Sequence, residues 1–199
     1  MWPFGRNTVA GRLAGTLGAA AEPYKVSVLT TIVSPSSVAS PLTGLRAAML
    51  HVELVERIPL AHQDDMLMEG RRRDTDLYES LGVVVFGDVV TLRDEDGDEI
   101  TIVVGRARIE PQLPRHGGTP LSRVPPELVP MLAKASGRGV VCYRELTLGE
   151  SDKIRLKAVV EPSQHVVASG YRSGTRLTYV ARDDLAPVVL EEVAGAAGW

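Results

Sequence analysis

Apolar residues in this chain fall largely at every second position, in short runs that end at glycine, proline, serine or aspartate. Residues 24–33 are rich in β-branched side chains and stop at Ser34-Pro35, as a strand does. Residues 49–55 alternate more clearly. Leu50, Val52 and Leu54 take one face and His51 and Glu53 the other, which predicts a strand exposed on its polar side. The strongest pair is 81–92 with 100–109. Between them stands Arg93-Asp94-Glu95-Asp96-Gly97-Asp98-Glu99, whose Asp-Gly step suits the positive φ angles of a tight hairpin. Ile100, Ile102 and Val104 then repeat at period two and predict one buried face. Further strands are expected at 140–148, 153–160, 164–168 and 175–181, joined by turns rich in Gly, Ser, Asp and Pro.

A helical signal is confined to residues 125–137. The segment opens on Pro125-Pro126, carries Glu127 early and ends near Lys134 and Gly137. Leu128, Met131 and Leu132 can share a face, while Pro130 makes the helix start late or bend. For 185–199 the pattern does not decide between strand and helix. Residues 59–75 and 111–126 lack a core-building pattern and are expected to be exposed excursions. The fold class is therefore mainly β: an antiparallel β-barrel or sandwich, OB-like among the options, with one internal α-helix. Residues 1–22 read as an N-terminal tail and 23–199 as a single β-rich domain.

Composition narrows the partners. A chain of 199 residues can bury a core without disulfides, and 44% hydrophobic with 24% charged residues excludes overall disorder. With 22 Lys+Arg against 25 Asp+Glu, the formal charge of -3 supplies no summed positive field for a phosphate backbone. Aromatics at 5% supply a poor stacking platform, so no nucleic-acid partner is expected. In the tail, Arg6 and Arg12 precede a weakly apolar stretch broken by Gly15, Thr16 and Gly18, a loose likeness to a secretory signal. A frayed end is the simpler reading, with membrane contact through Trp2, Phe4 and Leu13 as its alternative. No run approaches the ~18 consecutive apolar residues of a spanning helix, and cytoplasmic residence is the expectation.

Candidate chemistry is sparse. The acidic run 94–99 could suit calcium, but Gly97 is misplaced for an EF-hand loop and Gly105 stands where the bidentate glutamate belongs. A solvated hairpin tip accounts for the same residues. The histidines His51, His62, His116 and His165 show no ligand spacing, and Cys142 is the single cysteine, so no metal and no cofactor are expected. Cys142 sits in a β-run and reads as a small buried residue. No G-x-S-x-G elbow or phosphate-binding loop occurs, and no catalytic residue is assigned. Arg71-Arg72-Arg73 could grip an acidic partner or a phosphate, although Asp74 and Asp76 make a solvated charged loop the simpler account.

Three segments, in order, carry a family resemblance. The first is 32–44, containing Ser40-Pro41-Leu42-Thr43-Gly44 at the entry to a strand; the second is the hairpin 89–100. The third is 143–154, containing Tyr143-Arg144-Glu145, Leu148, Gly149 and Asp152. Together they span 32–160 and resemble the β-rich "beside a membrane" domain of GIDE-type membrane-anchored E3 ubiquitin ligases and their bacterial relatives. The resemblance implies a β scaffold for protein recognition. It does not carry ligase activity, because a RING needs many cysteines and histidines and this chain has Cys142 alone. The family's flanking membrane helices are missing. So is the cysteine that often follows its entry motif, where Leu45-Arg46-Ala47-Ala48 stand.

The expected function is a non-catalytic protein-binding or assembly module on a β-barrel scaffold. Its contacts are placed at Arg71, Arg72 and Arg73, and at His51 and Glu53 on an exposed strand 49–57. One rival is a hydrolase-type enzyme, its site assembled in space from His51 or His62 with Asp64, Asp65 or Cys142. Another is a peripheral membrane-associated adaptor.

Overall fold

The computed structural model describes residues 23–35, 37–59, 76–111, 117–163 and 178–193. In chain order the first strands are β1 (Tyr24–Ile32), β2 (Val38–Ala39), β3 (Arg46–Ala47), β4 (Met49–Ile58), β5 (Leu77–Phe86), β6 (Val89–Asp94) and β7 (Glu99–Val103). Then follow β8 (Ala107–Glu110), β9 (Thr119–Pro120), β10 (Val140–Leu148), β11 (Lys153–Pro162), β12 (Thr178–Ala181) and β13 (Val188–Glu192). The protein is mainly β, as the alternation predicts, and its centre is a closed five-stranded barrel.

The barrel runs β1-β6-β7-β12-β11 and closes because β11 returns to β1, with Tyr24 opposite Val160 and Thr31 opposite Lys153. Every neighbouring pair is antiparallel except β7 with β12. This is a five-stranded Greek-key barrel of the OB kind. Alternation explains the closure: Val26, Val28 and Ile32 of β1, Leu92 of β6 and Ile100 and Ile102 of β7 are buried in one core. Tyr24 and Tyr179 meet inside it edge to face, with ring centroids 6.2 Å apart. Beyond the end of β12, β13 takes the same edge of β11 and carries β8 alongside in parallel. Residues 188–192 thus resolve as strand.

A second sheet, in the order β5-β4-β10-β9, is built from two separate excursions of the chain. The connection from β1 to β6 supplies β4 and β5, and the connection from β7 to β11 supplies β9 and β10. Val52 and Leu54 of β4 pack with Leu81 and Leu128. Met49, Leu146 and Leu148, on the opposite face, join the barrel core.

Three expectations change. Residues 81–92 form two strands in different sheets, because the chain breaks at Gly87. There φ is +149°, and a Cβ would lie 2.8 Å from Val104 Cγ1, so only glycine permits the close crossing. Residues 100–109 divide likewise, at a 3-10 turn over Val104–Arg106. The internal helix is found at Pro126–Lys134, wound as a 3-10 helix rather than an α-helix. Pro130 inside it has no N–H to donate to position i−4, and Leu128 and Ala135 donate three residues back, to Pro125 and Leu132, each at 3.0 Å. Of the other expected strands, 164–168 and 175–177 lie outside the described residues. Among the described residues no helix is long and apolar enough to cross a membrane.

Candidate functional site

The sequence places contacts at two positions, and the structure addresses one of them. Arg71, Arg72 and Arg73 lie outside the described residues, as do His62, Asp64, Asp65, Trp2, Phe4 and Leu13. His51 and Glu53 lie on β4, which is not the exposed strand that the alternation predicts. β4 is hydrogen-bonded to β5 on one side and β10 on the other, and His51 is only 5% exposed. Burial pushes the His51 imidazole below its ordinary pKa of 6.5, with Glu53 opposing weakly. The Glu53 carboxylate pairs with Arg144 directly across the strand boundary, at 3.2 Å. Arg144 also donates through Nε to the Gly117 carbonyl at 3.0 Å, and its guanidinium stands 5.5 Å from the Tyr78 ring centroid. Glu53 therefore braces β4 against β10, and the buried His51 presents no exposed side chain to a partner.

Cys142 is opposite Val55, whereas His51 is opposite Leu146. The two side chains are thus four residues apart along the sheet, about 13 Å, too far for a hydrogen-bonded dyad. Burial also pushes the Cys142 thiol above its ordinary pKa, which opposes thiolate chemistry. Among the described residues no group of three or more His, Cys, Asp or Glu could hold a metal ion. The acidic run forms the hairpin tip. Asp94 Oδ1 accepts from the backbone N–H groups of Asp96 at 3.0 Å and Asp98 at 2.9 Å.

Glu56 is a buried carboxylate that no sequence pattern marks out. It accepts from Ser136 N at 2.6 Å, Ser136 Oγ at 3.0 Å and Gly139 N at 2.8 Å. Desolvation alone would raise its pKa, but these hydrogen bonds and one from the Arg138 backbone hold it below its ordinary 4.5. The carboxylate ties the end of the 3-10 helix to β4. Gly139 fits because its backbone lies against Arg57: an added Cβ would come 2.3 Å from the Arg57 carbonyl oxygen.

The barrel, by contrast, leaves one face open. On β6, β7 and β12, Val90, Leu92, Ile100, Ile102 and Tyr179 point inward, and the residues between them point out. The outward residues stand in three cross-strand rows: Val89–Val103, then Thr91–Thr101–Val180, then Arg93–Glu99–Thr178. Val89 is 58% exposed, Val103 43% and Val180 38%. The charged row is internally neutralised, because Arg93 Nη2 and Nε reach the same Glu99 oxygen at 2.7 and 3.2 Å. The surface is thus apolar and β-branched at one end, hydroxylated in the middle and paired at the hairpin tip. Its signal was present in the sequence, in valines at the positions that alternation assigns to solvent.

The three resemblance segments touch: Ile32 pairs with Leu92 and its N–H donates to the Asp152 carbonyl, and side chains join the first segment to the third. Ser40 Oγ donates to Glu145 Oε2 at 2.8 Å and accepts from the backbone N–H groups of Leu42 and Thr43. Thr43 Oγ1 donates to the other oxygen of Glu145 at 3.3 Å. The Ser-Pro-Leu-Thr-Gly turn is thereby fastened to β10. Comparison with known proteins finds no match: no family model, no curated protein and no solved structure is significantly similar to this chain.

Proposed function

We propose that this protein is a protein-binding module whose contact surface is the outer face of β6, β7 and β12. The observation that carries the reading is the patch of Val89, Val103 and Val180 on adjacent strands, next to an ion pair that is already satisfied. Large apolar side chains gathered on one exposed face favour a partner that covers them. Among the described residues the patch holds no aromatic ring, and its Arg93 is paired with Glu99, so it suits a flat protein surface better than a stacked base. In OB-type barrels the equivalent strands form the recognition face, an analogy of fold alone.

The GIDE-type resemblance supports the same class of function. Its first and third segments are joined by the Ser40–Glu145 hydrogen bond, which gives both motifs one structural purpose. Arg71, Arg72 and Arg73 remain a second candidate contact for an acidic partner.

The test compares proteins captured from host extract by the wild-type chain and by a Val89→Glu/Val103→Lys variant, whose opposite charges face each other across the strand pair. Loss of a specific partner, with circular dichroism and melting unchanged, is the expected result. Equal capture by both would move the contact off the barrel. Charge reversal at Arg71, Arg72 and Arg73 would then locate it.

A further inference from the structure

The open strand edges of this protein are treated unequally. In the two larger sheets, among the described residues, β8, β9 and β5 each pair on one side only. An open edge offers unpaired N–H and C=O groups to any passing strand, and proteins blunt such edges with charge, proline or shortness. β8 has four residues, carries the Arg108–Glu110 ion pair at 3.2 Å and runs into Pro111. β9 has two residues and ends on Pro120. β5 is ten residues long, and its second half, Leu81-Gly82-Val83-Val84-Val85-Phe86, has no charge and no proline. Val83 within it is 47% exposed. Two edges are guarded and one is not.

We infer that β5 pairs antiparallel with β5 of a second copy of this chain, which joins the two four-stranded sheets into one across a two-fold axis. The sequence of the strand favours self-pairing. Its one ionisable carboxylate, Glu79, lies in the first half. A parallel, in-register partner would stack the two Glu79 side chains about 4.8 Å apart. Antiparallel pairing centred between Leu81 and Gly82 sets Glu79 opposite the uncharged Val84 of the other copy. The two carboxylates are then five residues apart along the strand, about 17 Å, beyond a Debye length of about 8 Å.

The bulge in β5 is compatible with this register. Gly82 faces Leu54 and Ser80 faces Val55, so Leu81 is the extra residue. The insertion reverses the alternation, which leaves Ser80 and Val83 on the same side of the sheet, opposite Val55 and Glu53. Only with that reversal do Ser80 and the Val83 of the second copy meet on one face, as a two-fold axis through the sheet requires. The edge is distinct from the barrel surface assigned to an outside partner, and the two contacts can be separated by experiment.

Sedimentation velocity of the full chain over micromolar concentrations tests the inference, with Val83→Glu as the edge variant and Val89→Glu as the barrel control. The wild type and the control are expected to form dimers. Val83→Glu is expected to associate about tenfold more weakly or worse, with unchanged circular dichroism. A Ser80→Cys/Val83→Cys variant gives a second measure, since under mild oxidation it should cross-link into covalent dimers while Cys142 stays buried. A monomeric wild type would overturn the inference. So would a dimer that survives Val83→Glu, or a double-cysteine variant that does not cross-link.

Discussion

β4 and the β6–β7 hairpin carry similar alternating patterns and meet opposite fates. In the hairpin, one set of side chains fills the barrel and the other faces out. In β4 both sets are covered, one by the 3-10 helix and its neighbours, the other by the barrel core and the Glu53–Arg144 brace. A polar residue at every second position therefore does not by itself mark a wet face. It marks either a solvated surface or a buried polar pair, and only the neighbouring strands decide which.

The contrast can be broken most directly in the sheet. Leu54→Ala should cost about 2–5 kcal/mol, because Leu54 is fully buried and central; chemical denaturation checks this, and a loss under 1 kcal/mol would mean that the face is not packed as described. Glu56→Gln should cost about 1–3 kcal/mol by stranding donors at Ser136 and Gly139. Because folding lowers the Glu56 pKa, the unfolded chain takes up this proton first. The stabilisation is full above the ordinary value of 4.5 and is lost as pH falls through the lower folded pKa. The variant should lose that part of the acid sensitivity in urea titrations at stepped pH.

His51 sharpens the comparison in a different window. Its folded pKa also lies below the unfolded value of 6.5, so stability should start to fall as pH drops through 6.5 and level off below the folded pKa. Thermal melts of His51→Leu should lack this component, and an unaltered pH profile would show that the imidazole is hydrated. On the open barrel face, Val89→Glu/Val103→Lys, which sets opposite charges across the strand pair, should change stability by only about 0.5 kcal/mol or less. A large destabilisation would mean that these valines serve the fold rather than a partner.

Legibility followed the same divide. Strands with a regular pattern of their own were readable: β10 falls at the expected 140–148, and the 94–99 turn closes β6 onto its sequence neighbour β7 as the Asp-Gly step implies. The break at Gly87 was not readable, because it depends on Val104 crossing from another element. The burial of His51 was hidden for the same reason: β10 reaches β4 from about 90 residues away in the chain. Pro130 was recognised as an obstacle to the helix, and the backbone accommodated it by tighter winding along the whole segment. The open valine face was legible as alternation and overlooked as a site, since valine carries no chemical signature of its own.

Joining one sheet from two distant excursions also constrains how the chain reaches its native state. Glu53 and Arg144 meet across a sequence separation of 91 residues, and the barrel closes by pairing Tyr24 with Val160, farther still along the chain, so neither sheet can form from local contacts alone. Without β10, β4 and β5 would be a lone two-stranded ribbon, which is marginal in water. Both sheets rest on pairings distant in sequence, the property that makes all-β chains slow to fold.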